Sequence, residues 1–133
     1  MRSLLIVLVV CLAPSLAEAR DCGLFEYRAI VTGAYDGDSV TADIDLGLGS
    51  WRHDAKLRLF GVDTPEIKST DKARAIAVRD ELRELILGKE VRICTIQDKT
   101  DKYGRFLVEI FFGNINVNAW LKMKKLGEPY YLK

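Results

Sequence analysis

Residues 71–87 constrain the fold most. They hold no glycine or proline and are rich in Ala, Leu, Arg and Glu, so they read as helix. Val78, Leu82, Leu85 and Ile86 share one face at helical spacing. Ser69 or Thr70 stands where an N-cap belongs, and Gly88 ends the run. Everything flanking this helix reads as strand. Residues 25–32, 39–44 and 56–59 are β-rich or alternate apolar with polar, broken by Gly33, by Asp36-Gly37, by a Gly47-Gly49-Ser50 loop and by Thr64-Pro65. Residues 91–96 and 106–112 supply a fourth and fifth strand. A short second helix is expected over 117–126, capped by Asn116 and stopped by Gly127, with Val117, Trp120 and Leu121 inward.

The resulting order is βββ-α-ββ-α. Five short strands with a helix between the third and fourth is the order of the OB fold, a Greek-key barrel. The expected class is therefore mainly β (β+α): a five-stranded OB barrel with that helix and a short C-terminal one. The sequence shows no internal repeat, low-complexity tract or linker, so residues 20–133 read as a single domain.

The first nineteen residues stand apart. Met1-Arg2-Ser3 is a short cationic start, residues 4–12 are apolar, and Ala17-Glu18-Ala19 puts small residues where signal peptidase reads. Residues 1–19 are expected to be a signal peptide, cleaved to leave Arg20 first. Nine apolar residues are too few to span a bilayer, which takes about 20. The expected localisation is secreted or periplasmic, with no membrane attachment after cleavage. Cleavage removes one base, Arg2, and one acid, Glu18, and leaves the charge balance unchanged. Cys22 and Cys94 then remain. In an oxidising compartment they are either a disulfide or two separate thiols.

Lys plus Arg is 20 and Asp plus Glu is 19, a net charge of +1. That excludes a whole-protein basic field, so any hold on phosphates must come from local placement. The single histidine, His53, argues against a His-rich zinc site or a Ser-His-Asp triad, and the absence of CxxC against a four-cysteine site.

Charge is unevenly placed. Asp36, Asp38, Asp43 and Asp45 fall in a stretch without Lys or Arg, and Asp63 and Glu66 flank a Thr-Pro turn just after Arg58. Carboxylates on two turns can form an oxygen cage for a hard cation; taken alone, Asp36-Gly37 is an ordinary turn signal. Thr100-Asp101-Lys102-Tyr103-Gly104-Arg105 gathers a guanidinium, an ammonium and a phenol, groups that suit a phosphate.

In order, Asp36-Gly37-Asp38-Ser39-Val40, then Arg58-Leu59-Phe60-Gly61-Val62-Asp63-Thr64-Pro65-Glu66, then Thr100-Asp101-Lys102-Tyr103-Gly104-Arg105 resemble the staphylococcal nuclease (thermonuclease) family. The resemblance runs from about Tyr27 to the C-terminus. It implies an OB barrel that cleaves DNA and RNA phosphodiesters with Ca²⁺ and leaves 3′-phosphate ends. It implies Asp38, Asp63 and the Thr64 carbonyl as calcium ligands. Glu66 would be the base that activates water, Arg58 and Arg105 the phosphate-binding pair, and Lys102, Tyr103 and either Tyr131 or its neighbour Tyr130 the nucleotide pocket. Against that pattern the second hairpin, around Asp45 to Asp54, is longer, and the segment after Glu66 is shorter. The type enzyme's further long helix is not expected after Tyr131.

The expected activity is thus that of a monomeric, Ca²⁺-dependent nuclease acting on nucleic acid. The alternative is a non-catalytic nucleic-acid-binding OB module, which usually lacks part of the Arg and carboxylate set. A structural domain with a calcium turn leaves Arg58 and Arg105 unexplained.

Overall fold

The computed structural model describes residues 22–130. The signal segment, Arg20 and Tyr131 lie outside the described residues.

After a 3-10 turn at Gly23–Phe25 come β1 (Glu26–Asp36), β2 (Ser39–Gly47) and β3 (Ser50–Leu59), paired antiparallel as a meander. The bridge strand β4 (Val62–Asp63) leads to α1 (Lys72–Ile86), then to β5 (Glu90–Thr100) and β6 (Phe106–Phe112). Next come β7 (Ile115–Asn116), α2 (Val117–Met123) and β8 (Glu128–Pro129). β5 pairs with β1 and β6 antiparallel. β6 then meets β3 in parallel, Leu57 to Leu59 against Phe106 to Val108. That last contact joins the two edges of the sheet, and a closed sheet leaves no long edge unpaired. The result is the five-stranded OB barrel with its helix between the main third and fourth strands.

Small and large side chains share the barrel interior: Ala29, Ala42 and Ala55 beside Leu57, Leu59, Ile93 and Ile110. One end is plugged by α1, which buries Ala75, Val78, Leu82 and Ile86. Leu85, expected on that face, is only half-buried. From α2 come Val117 and Leu121, but Trp120 is half-buried and Asn118 goes inside instead. Its amide donates to Phe60 O (2.8 Å) and Val108 O (3.0 Å) and accepts from Ile110 N (3.1 Å). A buried amide needs such partners, and here they stitch the barrel's closing seam.

Several boundaries differ from the sequence reading. β1 does not stop at Gly33. The pairing shifts between Val31 and Gly33, a bulge that flips the inward face from Val31 to Ala34 and carries the strand on to Asp36. β3 begins at Ser50, not Lys56. Leu48 and Gly49 both take positive φ (53° and 76°), so the expected loop is a tight hairpin turn. Arg52, His53 and Asp54 are all exposed, so this part of β3 has no apolar alternation to betray it. β5 likewise runs past a register break, with Gln97 and Asp98 at positive φ.

Asp71, not Ser69 or Thr70, holds the N-cap position of α1, with no side-chain cap bond. Ser69 Oγ instead donates to Glu66 O (2.6 Å). Asn116 does cap α2, accepting from Ala119 N (3.1 Å). α2 ends at Met123, short of Leu126. Gly127 answers to packing: a Cβ there would lie 2.7 Å from Val62 Cγ2 and 3.0 Å from Asp63 O.

Cys22 and Cys94 are bonded, with Cα atoms 5.5 Å apart, and tie the start of the chain to β5 across a separation of 72 residues. Replacing both with alanine should lower unfolding stability by about 2–4 kcal/mol. Urea melts of the oxidised protein and the double variant check this, with an unchanged midpoint counting against it.

Candidate active site

The hairpin between β1 and β2 delivers Asp38 to the end of the barrel. The carboxylate is buried, at 4 % exposure. Its Oδ2 accepts from Thr64 N (2.7 Å) and lies 3.3 Å from Arg58 Nη1. Its own carbonyl accepts from Leu59 N (2.9 Å). The hairpin is thereby fastened to the corner between β3 and β4. Gly37 is required by that fastening, not by its backbone angle. A Cβ there would come within 2.5 Å of Val78 Cγ1 and 2.8 Å of Thr64 Oγ1.

Arg58, in β3, is almost fully enclosed. Nη1 donates to Leu59 O (2.9 Å) and Val62 O (2.8 Å), while Nη2 pairs with Asp63 Oδ1 (3.1 Å). Four oxygens thus hold one guanidinium, fixing its plane relative to Asp38 and Asp63. Arg105 is held as firmly from the loop before β6. Nε donates to Asp101 Oδ2 (2.7 Å) and Nη1 to Ser39 Oγ (2.9 Å). Asp101 Oδ1 meanwhile accepts from Tyr103 N (2.9 Å) and Arg105 N (3.0 Å), shaping the loop around itself. Tyr103 is 72 % exposed, with Lys102 Nζ 5.0 Å and Arg105 Cζ 5.4 Å from its ring centre.

These side chains share one cleft of about 550 Å³, lined among others by Asp38, Arg58, Asp63, Glu66, Lys102, Tyr103 and Arg105. Glu66 is exposed on the turn after Pro65, where Ser69 N and Oγ hold its carbonyl (2.9 and 2.6 Å). Thr64 is buried and is not among the residues that line the cleft, and its Oγ1 has no hydrogen-bond partner among the described residues. Tyr130 lines the cleft too. The β4–β8 pairing and the bond from Tyr130 N to Gly61 O (3.1 Å) bring it there, with Arg58 Cζ 6.0 Å from its ring centre.

The sequence reading assigned no role to Asp36, Ser39 or Asp101, and it held Tyr130 as the alternative to Tyr131. Asp101 carried a signal, an Asp three residues before a glycine in a turn. Ser39 carried none, because its partner Arg105 is 66 residues away.

Charge in the cleft is unbalanced. Burial pushes the Asp38 carboxyl up from 3.8 to about 6, against the pull of Arg58 and Thr64 N–H, and Asp36 adds to the rise. Asp63 is also raised, by burial and by Asp38, with Arg58 opposing. Asp101 is the contrast. Burial pushes it up, but the Arg105 N–H and guanidinium and the Tyr103 N–H outweigh that and leave it below 3.8. Asp38 and Asp63 thus compete for Arg58, and a further positive charge would relieve both. Among the described residues the cleft is lined by no His or Cys. The Asp38 and Asp63 carboxylates that line it offer only oxygen, which fits a hard divalent cation such as Ca²⁺. Cys22, Glu26 and Cys94 also cluster, but the disulfide consumes both thiols, so no thiolate is offered there.

An OB barrel that concentrates carboxylates and immobilised guanidiniums in one cleft at its end defines a class of domain suited to phosphate-bearing polymers. Residues 56–127 match the model of the staphylococcal nuclease homologue family, and the chain belongs to that family. A comparison with curated proteins gave no match. Asp38 lies outside the matched residues, and the fold brings it to Thr64 and Arg58.

The strained charge balance should be visible in stability. In metal-free protein, Asp38 binds its proton up to about pH 6 when folded but only to about 4 when unfolded. Its contribution therefore falls as pH rises from about 4 to 6 and is flat above. Asp38→Asn keeps an acceptor for Thr64 N and removes that loss. Relative to wild type it should gain roughly 2–3 kcal/mol across this window. Urea melts of both proteins from pH 4 to 7.5 in EDTA check it, and a pH-independent difference would contradict it.

Proposed function

We propose that the chain is an exported, monomeric, Ca²⁺-dependent nuclease that hydrolyses DNA and RNA phosphodiesters and leaves 3′-phosphate ends. One observation carries this reading: Asp38, the Arg58–Asp63–Glu66 segment and the Lys102–Tyr103–Arg105 loop, far apart in sequence, line a single cleft.

The residues divide the work as follows. Attack on a phosphodiester adds negative charge to the phosphate oxygens, and preset donors stabilise that charge without reorganising. Arg58 and Arg105 supply such donors, and their partners prevent them from rotating away. Glu66 sits on the cleft wall and takes the proton as a water oxygen bonds to phosphorus. The phosphorus–O5′ bond breaks, the 5′-oxygen leaves with a proton from solvent, and the phosphate stays on the 3′ side. Lys102 and Tyr103, with Tyr130 or Tyr131, hold the nucleotide. Asp38, Asp63 and the Thr64 carbonyl would hold Ca²⁺, which supplies Lewis-acid stabilisation of the phosphate when bound.

A non-catalytic nucleic-acid-binding module is the second reading. It is less favoured because Glu66, which a binding module does not need, lines the same cleft as both arginines. Export with cleavage after Ala19, and freedom from the membrane afterwards, complete the proposal. N-terminal sequencing of exported protein should begin at Arg20, and a soluble exported form beginning at Met1 would refute it.

Three substitutions should behave differently in single-stranded DNA cleavage across a calcium titration. Glu66→Gln should lower kcat by at least about 10². Arg105→Lys keeps the charge but loses the planar fork, and should also cost about 10². Asp38→Asn should be partly rescued by raised Ca²⁺, unlike the other two. Mg²⁺ should not replace Ca²⁺, because it demands a stricter octahedron. If Glu66→Gln and Arg105→Lys both stay folded and near wild-type rates, the binding-module reading takes over.

A further inference from the structure

A second depression of about 470 Å³ adjoins the cleft and shares Ser39 and Arg105 with it. The hydrogen bond between those two side chains (2.9 Å) is the saddle between them. Beyond the saddle the groove runs over the outer face of β1, β2 and β3, lined by Tyr35, Thr41, Lys56 and Arg83. We propose that this groove is an extended subsite for the nucleic-acid strand that continues past the phosphate held in the cleft.

The charge pattern is the first argument. The catalytic cleft mixes Arg and Lys with Asp36, Asp38, Asp63, Glu66 and Asp101. No carboxylate lines the adjoining groove, while Lys56, Arg83 and Arg105 all do. Lys56 Nζ bonds only a hydroxyl, Thr41 Oγ1 (3.2 Å). The Arg83 guanidinium bonds only a carbonyl, Ala34 O (3.1 Å from Nε, 2.6 Å from Nη2). Among the described residues neither has an ion-pair partner, in a protein whose net charge is only +1. Unneutralised cations along one path are how a near-neutral domain tracks a phosphate backbone.

The second argument is Tyr35. The bulge at Gly33 sets the phase of β1 so that Asp36 faces inward and Tyr35 outward, 57 % exposed. A large aromatic ring on open surface beside basic side chains is a platform for stacking an unpaired base. Phosphate from Lys56 and Arg83 and base from Tyr35 together match one ligand, a single strand. The same residue step thus serves both depressions, Asp36 the cleft and Tyr35 the groove.

The inference rests on the nuclease reading for its substrate, so the test separates the two. Lys56→Gln, Tyr35→Ala and the double variant are compared with wild type and with Lys124→Gln, a cation change at the C-cap of α2. Two substrates are used with saturating Ca²⁺: a single-stranded oligothymidylate longer than the cleft, and a nitrophenyl phosphodiester of one nucleoside, which fills the cleft alone. Lys56→Gln and Tyr35→Ala should each raise KM for the oligonucleotide about fivefold or more, with kcat/KM for the small ester unchanged. Lys56→Gln should also flatten the log–log salt dependence of oligonucleotide binding by about 0.7. Equal losses on both substrates, or no loss on the oligonucleotide, would overturn the subsite. If wild type cleaves neither substrate, the nuclease reading fails. Fluorescence anisotropy of the labelled oligonucleotide then still decides the groove: weakened binding in both variants but not in Lys124→Gln supports it, and unchanged binding overturns it.

Discussion

The bond between the buried Asp38 carboxylate and Thr64 N–H is where fold and site become one object. A carboxylate with so little solvent is costly unless donors surround it. The donors here come from the β3–β4 corner and from Arg58, so the hairpin cannot settle until that corner is built. Gly37 lets the approach happen by leaving room for Val78 of α1 and for Thr64. The helix that plugs the barrel therefore also presses the hairpin into position. The β4–β8 pairing and Gly127 close the other side of the same corner and set Tyr130 over the cleft.

Arginine immobilisation follows a common scheme on both sides of the cleft. Arg58 is pinned by two backbone carbonyls, whose positions belong to the barrel, and by the carboxylates of Asp38 and Asp63. Arg105 is pinned by Asp101, which simultaneously folds the loop that carries it, and by Ser39 of the opposite hairpin. Both guanidiniums are held by the protein's own groups, which is what electrostatic preorganisation for the proposed activity requires. The overall balance of +1 conceals the local contrast between the cleft, lined by Asp36, Asp38, Asp63, Glu66 and Asp101, and the groove beyond the saddle, where Lys56 and Arg83 have no ion-pair partner among the described residues.

Much of the fold was legible because its signals are local. The uninterrupted run before Gly88, the Asn116 cap and the alternation of residues 39–44 in β2 each concern residues within a turn or two of one another, and the structure contains all three. Errors arose where a local signal had a non-local meaning. Gly33 reads as an end and is a bulge. Gly127 reads as a helix stop and is a contact with Val62. Arg52-His53-Asp54 carries no strand signal because all three side chains of that part of β3 are exposed.

The sequence by itself determined which segments would be strands and helices, their order, and which chemical groups each turn would carry. Those properties follow from propensity, periodicity and turn chemistry, which act over a few residues. Only the tertiary structure decided that Cys22 would bond Cys94, that Asn118 and not Trp120 would enter the core, and that Asp38 would share Arg58 with Asp63. It also placed Ser39 against Arg105, 66 residues on. The Cys22–Cys94 bond rests on the β1–β5 pairing and the Asp38–Arg58 contact on the β2–β3 pairing, while Asn118 and the Ser39–Arg105 pair depend on barrel closure. The parallel meeting of β3 and β6 brings together groups that no sequence window contains, and these two contacts do not exist until that seam is made.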